Sequence, residues 1–224
     1  MQQELGSIDD AAINETFDRI AGALEACHTA GRARVDVLAG DVTVFMRIDA
    51  QGQARYAYFQ ASTLGDRDTE ICVLDLLRRT KWPVPIGGEA EVTHGFGWSA
   101  GSERAPVSWE PEKVIDALLA ATPVKHAVDQ CRRGTSDSLQ LTGYVVAGAP
   151  TSSADPNKTA PKKKRKKSSN RKPAKTGKPG HFRALGAATA NKDAAEKLDC
   201  VVDALKTLSL PSPGAATAKV SFTL

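Results

Sequence analysis

The sequence predicts an α+β protein made of two αββαβ units, each a helix pair packed on a three-stranded antiparallel sheet. Three observations predict it. One 23-residue stretch recurs further along the chain without a gap. Segments of helical period alternate with segments of strand period. A Lys-rich segment free of apolar periodicity interrupts the second unit.

The repeat decides the architecture, because an overlooked repeat mis-assigns a fold. Sliding Cys72 onto Cys200 brings EICVLDLLRRTKWPVPIGGEAEV over LDCVVDALKTLSLPSPGAATAKV. Val73 falls on Val201, Asp75 on Asp203, Leu77 on Leu205, Pro83 on Pro211, Pro85 on Pro213, Ala90 on Ala218 and Val92 on Val220. Upstream, Cys27 falls on Cys131, Ile20 on Val124 and Leu24 on Val128. The units are expected at 1–107 and 108–224.

In the first unit Phe17, Ile20, Leu24 and Cys27 share one helix face. VTVFMRID alternates Val42, Val44, Met46 and Ile48 as a first strand, IDAQGQA turns at Gly52, and ARYAYFQA is a second strand. Thr63 to Asp68 is turn-rich and acidic, which suits the positive end of a following helix that carries Ile71, Cys72, Val73, Leu76 and Leu77. Pro83 and Pro85 end that helix, and Ala90 to Trp98 forms a third strand.

The second unit starts with SWEPEKVIDALLAATP, with Ser108 as N-cap, Pro111 near the first turn and Val114, Leu118 and Leu119 apolar. Pro123 bends or breaks this helix. LQLTGYVVAG and HFRALGAA read as strands separated by an insertion at about 149–180. Rich in Pro, Ser and Lys, the insertion cannot bury enough surface to offset its ordering entropy, so a disordered hairpin tip is expected. Its host hairpin tolerates it because loop closure grows only logarithmically with length.

Charge follows the same division. The chain has 30 Lys and Arg against 26 Asp and Glu, but Lys158 to Lys178 holds 11 of the basic residues and no acidic one. The remainder carries 19 basic against 26 acidic residues, so the folded part is expected to be mildly acidic. Its apolar runs are far shorter than the roughly 20 residues needed to span a bilayer. MQQELGSIDD is polar and acidic, unlike a retained secretory signal; one already removed is compatible with it.

Cysteines stand at 27, 72, 131 and 200, with no C-x-x-C and no His at zinc-finger spacing. Four cysteines allow three pairings. Because the repeat puts cysteine at matching helix positions in both units, it selects Cys27 with Cys72 and Cys131 with Cys200. A crosslink closing a loop of about 46 residues stabilises a domain by about 4 kcal/mol in the chain-entropy model. Disulfides would place the chain in an oxidising compartment; the alternative is four reduced core cysteines of a cytosolic protein.

CHTAGRARVDVLAGDVTVFMRIDAQGQARYAYFQASTLGDRDTEICVLDLLRRTKWPVPIGG resembles the AgmX/PglI C-terminal domain of envelope and gliding-motility proteins, itself similar to the TonB C-terminal domain. Carrying the resemblance are Cys27 after the first helix, the turn at Ile48, Asp49 and Gly52, the segment Ser62-Thr63-Leu64-Gly65, Glu70 and Cys72 in the second helix, and Pro83 to Gly88. It covers about 14–98 and, in degenerate form, 120–224, where the Ser-Thr-Leu-Gly segment is missing. What it implies is a periplasmic or cell-envelope protein–protein interaction or assembly module, without catalytic residues, cofactor or small-molecule substrate, that takes an envelope protein partner by strand addition at a sheet edge.

Catalytic motifs are not expected. His28, His94, His126 and His181 are scattered, and there is no G-x-S-x-G, P-loop or H-E-x-x-H. His94, on the strand face of Val92 and Phe96, reads as a structural histidine, and Asp66, Asp68 and Glu70 as helix-terminus stabilisers. Trp82, Trp98 and Trp109 read as core or interface residues. The second functional reading is polyanion binding (nucleic acid, anionic lipid or acidic envelope polymer) through Lys162, Lys163, Lys164, Arg165, Lys166, Lys167, Arg171 and Lys172. So many like charges release counterions from any polyanion. Without interleaved aromatic residues, the run has nothing to stack single-stranded bases. PKKKRKK also resembles a nuclear import signal, a reading that requires reduced thiols.

Overall fold

The computed structural model describes residues 5–100, 105–148 and 178–224. The chain is mixed α+β with two sheets. Its first half runs α1 (Asp10–Arg32), β1 (Gly40–Ile48), β2 (Ala54–Ser62), α2 (Arg67–Arg79) and β3 (Ala90–Trp98). The second runs β4 (Val107–Ser108), α3 (Glu112–Ala120), α4 (Thr122–Cys131), β5 (Gln140–Ala147), β6 (Gly180–Ala188), α5 (Lys192–Ala195), α6 (Leu198–Lys206) and β7 (Ala218–Thr223).

The strand order of the first sheet is β2-β1-β3, and both pairings are antiparallel. The second sheet has the order β4-β7-β5-β6, so its last three strands are arranged as in the first sheet, with the two-residue β4 added in parallel on the outside of β7. Strand period sets the inward face: Val42, Val44, Met46 and Ile48 are buried and pack under α1 and α2 together with Phe17, Leu24, Val73 and Leu77. Val114, Leu118, Leu141, Val145, Val201, Leu205, Val220 and Phe222 build a second core.

Several expectations are corrected. Ser108 is not an N-cap: it lies in β4, and α3 begins after Pro111, which makes no side-chain cap bond. The second half opens with two helices because Pro123 has no N–H to continue α3; the chain breaks at Ala121 and restarts as α4 with proline in its first turn. Ile71 faces outward at 37% exposure, and the apolar stripe of α2 is Val73, Leu74 and Leu77 instead. The first core is also not self-contained, since Tyr144, Ala184 and Ala188 from β5 and β6 belong to it.

Both disulfides join helices as the repeat indicates. Cys27–Cys72 links α1 to α2 with the Cα atoms 5.8 Å apart, and Cys131–Cys200 links α4 to α6 at 5.6 Å. Their sequence separations are 45 and 69, so the second closes a longer loop than expected because the β5–β6 connection falls inside it. No helix among the described residues is long and apolar enough to cross a membrane.

Candidate functional site

A sheet edge exposes main-chain N–H and C=O groups that must be paired, covered or left to a partner. Among the described residues, the outer sides of β2, β6 and β7 are covered, that of β7 by β4. On β2, the Ala57 carbonyl accepts from Arg78 Nη2 at 2.9 Å and the Phe59 carbonyl from the Thr189 N–H at 3.0 Å. On β6, Gly180 exchanges main-chain bonds with Leu210, and the Ala187 N–H donates to Glu70 Oε2 at 3.0 Å. On β7, the N–H groups of Val107 and Trp109 donate to the carbonyls of Thr217 and Lys219.

β3 is different. Gly6 bonds the Glu89 carbonyl and Ser7 pairs with Ile86, both just before the strand begins. Among the described residues, no main-chain hydrogen bond reaches Ala90–Trp98 except from β1. A groove of about 320 Å³ runs between this edge and the start of α1, lined by Ile8, Ile13, Asn14, Glu91, Thr93 and His94.

The inward face of β3 carries aromatic rings packed against the core. His94 stacks on Phe17 at 3.8 Å between ring centroids with 12° between planes, and Phe96 meets Trp98 edge-on at 5.4 Å. Burial holds the His94 imidazole below its ordinary value against the opposing charge of Asp18, which keeps the ring neutral and able to stack. Trp98 stacks in turn on His28, whose Nε2 donates to the Leu38 carbonyl at 2.9 Å. His94, Phe96 and Trp98 remain half-buried, whereas Val220 and Phe222 on β7 are buried beneath a covered edge. Leu5, Val84 and Ile86, ahead of β3 in the chain, are exposed, Ile86 to 81%.

Of the other residues the sequence singles out, Trp82 is core, with Nε1 donating to the Leu77 carbonyl, and Trp109 is buried in the second core. His126 is on exposed surface of α4, and His181 Nδ1 bonds the Gly148 carbonyl. Asp66 caps α2 by accepting from the Thr69 N–H, as a helix-terminus residue should. Glu70 does not fit that reading. It is fully buried, accepts from Ser62 Oγ at 2.7 Å and from Arg67 Nη1 at 3.4 Å, and reaches the second half through Ala187. Burial raises its carboxyl above the usual range, opposed by Arg67 and by the hydrogen bonds from Ser62 and Ala187. Sequence reasoning missed it because an acidic residue in a first helical turn has a sufficient local explanation.

The segment Ser62-Thr63-Leu64-Gly65 lies where the halves meet. Gly65, at φ +83°, packs against Tyr144 and Thr142, and Leu64 is fully buried. Tyr144 Oη donates to the Ala39 carbonyl and accepts from the Ala39 N–H, each at 3.1 Å; burial pushes its phenol up to about 12. Lys162, Lys163, Lys164, Arg165, Lys166, Lys167, Arg171 and Lys172, and with them the expected hairpin tip, lie outside the described residues.

Among the described residues no group of three or more His, Cys, Asp or Glu is placed to hold a metal. Comparison of the chain with family models, curated proteins and solved structures returns no match.

Proposed function

We propose that the chain is a non-enzymatic tandem of two TonB-like αββαβ units, 1–107 and 108–224, serving as an interaction or assembly module of the periplasm or cell envelope. The AgmX/PglI resemblance implies that role, and the two disulfides fit an oxidising compartment. Its partner is an envelope protein that adds an extended segment to the outer edge of β3.

One observation carries this reading: among the described residues no main-chain bond covers the outer edge of β3, while β4 lies along the edge of β7, the strand at the same position of the second sheet. Strand addition supplies main-chain hydrogen bonds from the edge, and a side pocket for alternate side chains supplies selectivity. The edge of β3 offers the first, and the groove beside it, lined by Ile8, Ile13 and the half-buried His94, offers the second.

A photo-crosslinking residue in place of Thr93, on the exposed side of β3, tests the reading in cells of the source organism. The expected result is one discrete adduct with an envelope protein, absent when the same residue replaces Lys113 on α3. No adduct at Thr93, or equal adducts at both positions, overturns it.

A further inference from the structure

The groove beside β3 selects the chemistry of the strand that pairs with its edge, a conclusion that rests on the strand addition proposed above. Asp10, Asn14 and Asp18 follow one another at four-residue spacing on α1, so they form one row along the helix. Asp10 and Asn14 line the groove, and the charge of Asp18 acts on His94, which lines it from β3. All three residues of the row are exposed.

The charge of this strip is one-sided. Asp10 and Glu91 line the groove, and among the described residues no Lys or Arg does. Glu91 has its counterion, since Arg47 Nη1 donates to Glu91 Oε1 at 2.6 Å. Asp9 is spent on the helix end, where it accepts from the Ala11 N–H at 2.7 Å. Asp10 and Asp18 form no ion pair among the described residues. The positive end of α1 offsets part of the Asp10 charge, whereas Asp18 lies two turns further on, beyond its reach. Beside the acidic row Ile13 is buried and Ile8 half-buried, so the groove has an apolar floor under an acidic rim.

A strand added to β3 runs roughly 5 Å from it and places alternate side chains on the helix side of the sheet, above this groove. A long basic side chain matches both of its parts: the methylene stem covers Ile8 and Ile13 while the charged end reaches the carboxylates. An acidic side chain at the same place would meet Asp10 and Asp18 as like charges. We infer that the segment pairing with β3 is basic, with Lys or Arg on the side that faces α1.

The test uses the full chain and three end-blocked heptapeptides, Thr-X-Val-X-Val-X-Thr, in which X is Lys, Gln or Glu and all X side chains share one face of the strand. Main-chain amide resonances of β3 are followed by NMR at fixed low salt. The expected result is that the Lys peptide shifts the amides of Glu91 to His94 along a saturating curve. It should bind about threefold to tenfold more tightly than the Gln peptide, the range of one or two exposed ion pairs, and the Glu peptide should bind more weakly than either. Asp10→Asn with Asp18→Asn should bring the Lys peptide down to the affinity of the Gln peptide. Glu112→Gln with Asp116→Asn on α3, which removes the same charge elsewhere, should leave it unchanged. Equal affinity of the Lys and Gln peptides, with β3 shifted by both, overturns the basic preference and leaves strand addition standing. Lys-peptide binding that the Asp10 and Asp18 changes do not weaken overturns the preference as well. Amides of β3 unmoved by all three peptides overturn strand addition and the preference with it.

Discussion

Glu70 Oε2 accepts the main-chain N–H of Ala187 at 3.0 Å, so one buried carboxylate in α2 closes the outer edge of β6. The bond is one of several between the halves and, with the Gly180–Leu210 pairing, it closes an edge at which a foreign strand would otherwise pair.

Replacing Glu70 leaves three donors without their acceptor inside the protein, those of Ser62, Arg67 and Ala187. Glu70→Ala should destabilise by about 3–5 kcal/mol, as expected when one partner of a buried charge pair is removed. At Gly186 a Cβ would collide with Glu70 Oε1 and stand 3.0 Å from the Asp66 main-chain nitrogen, which cannot yield as a flexible side chain does. Gly186→Ala should cost about 1–3 kcal/mol. In the double variant the collision with Glu70 is gone, so the two costs should sum to more than the measured loss. Urea unfolding of the four proteins measures this, and strict additivity would contradict the contact.

A buried carboxyl and a half-buried imidazole give the acid limb of stability opposite slopes. Glu70 has a folded pKa raised from 4.5 by burial, so between 4.5 and that raised value the folded state binds the extra proton, and stability falls as pH rises. Glu70→Gln should remove that slope. His94 is depressed from 6.5 by burial, so its contribution is complete above 6.5 and is lost as pH falls toward the folded value, where the unfolded chain binds the proton first. His94→Phe, which preserves stacking on Phe17, should flatten that part of the curve. Urea midpoints from pH 4 to 7.5 compare the three proteins; a variant that retains the parent slope excludes its residue as the cause.

The disulfides should behave as structural braces. In the chain-entropy model loops of these lengths contribute about 4 kcal/mol each, roughly 10 °C of thermal midpoint for a chain of this size. Cys27→Ser with Cys72→Ser should therefore lower the midpoint by about that amount. Mass analysis of unreduced, alkylated protein should find no free thiol and no peptide bridging the two halves. A cross-half bridge would exclude the pairing, and four free thiols would exclude both the pairing and the oxidising compartment.

Sequence alone was sufficient for what depends on neighbours in the chain. Period two placed Val42, Val44, Met46 and Ile48 on a buried face, Ala90 to Trp98 was bounded as found, and Pro123 broke its helix, because side-chain alternation and the missing proline N–H act locally. The gapless repeat also identified both cysteine pairs before any distance was known. Tertiary structure alone decided the rest: that Glu70 seals an edge in place of charging a helix end, that Ser62 to Gly65 sits between the halves, and that among the described residues β3 lacks the cover β4 gives to β7. Each depends on which surfaces of distant segments come into contact, and neither local propensity nor residue spacing encodes a hydrogen bond formed across more than a hundred residues.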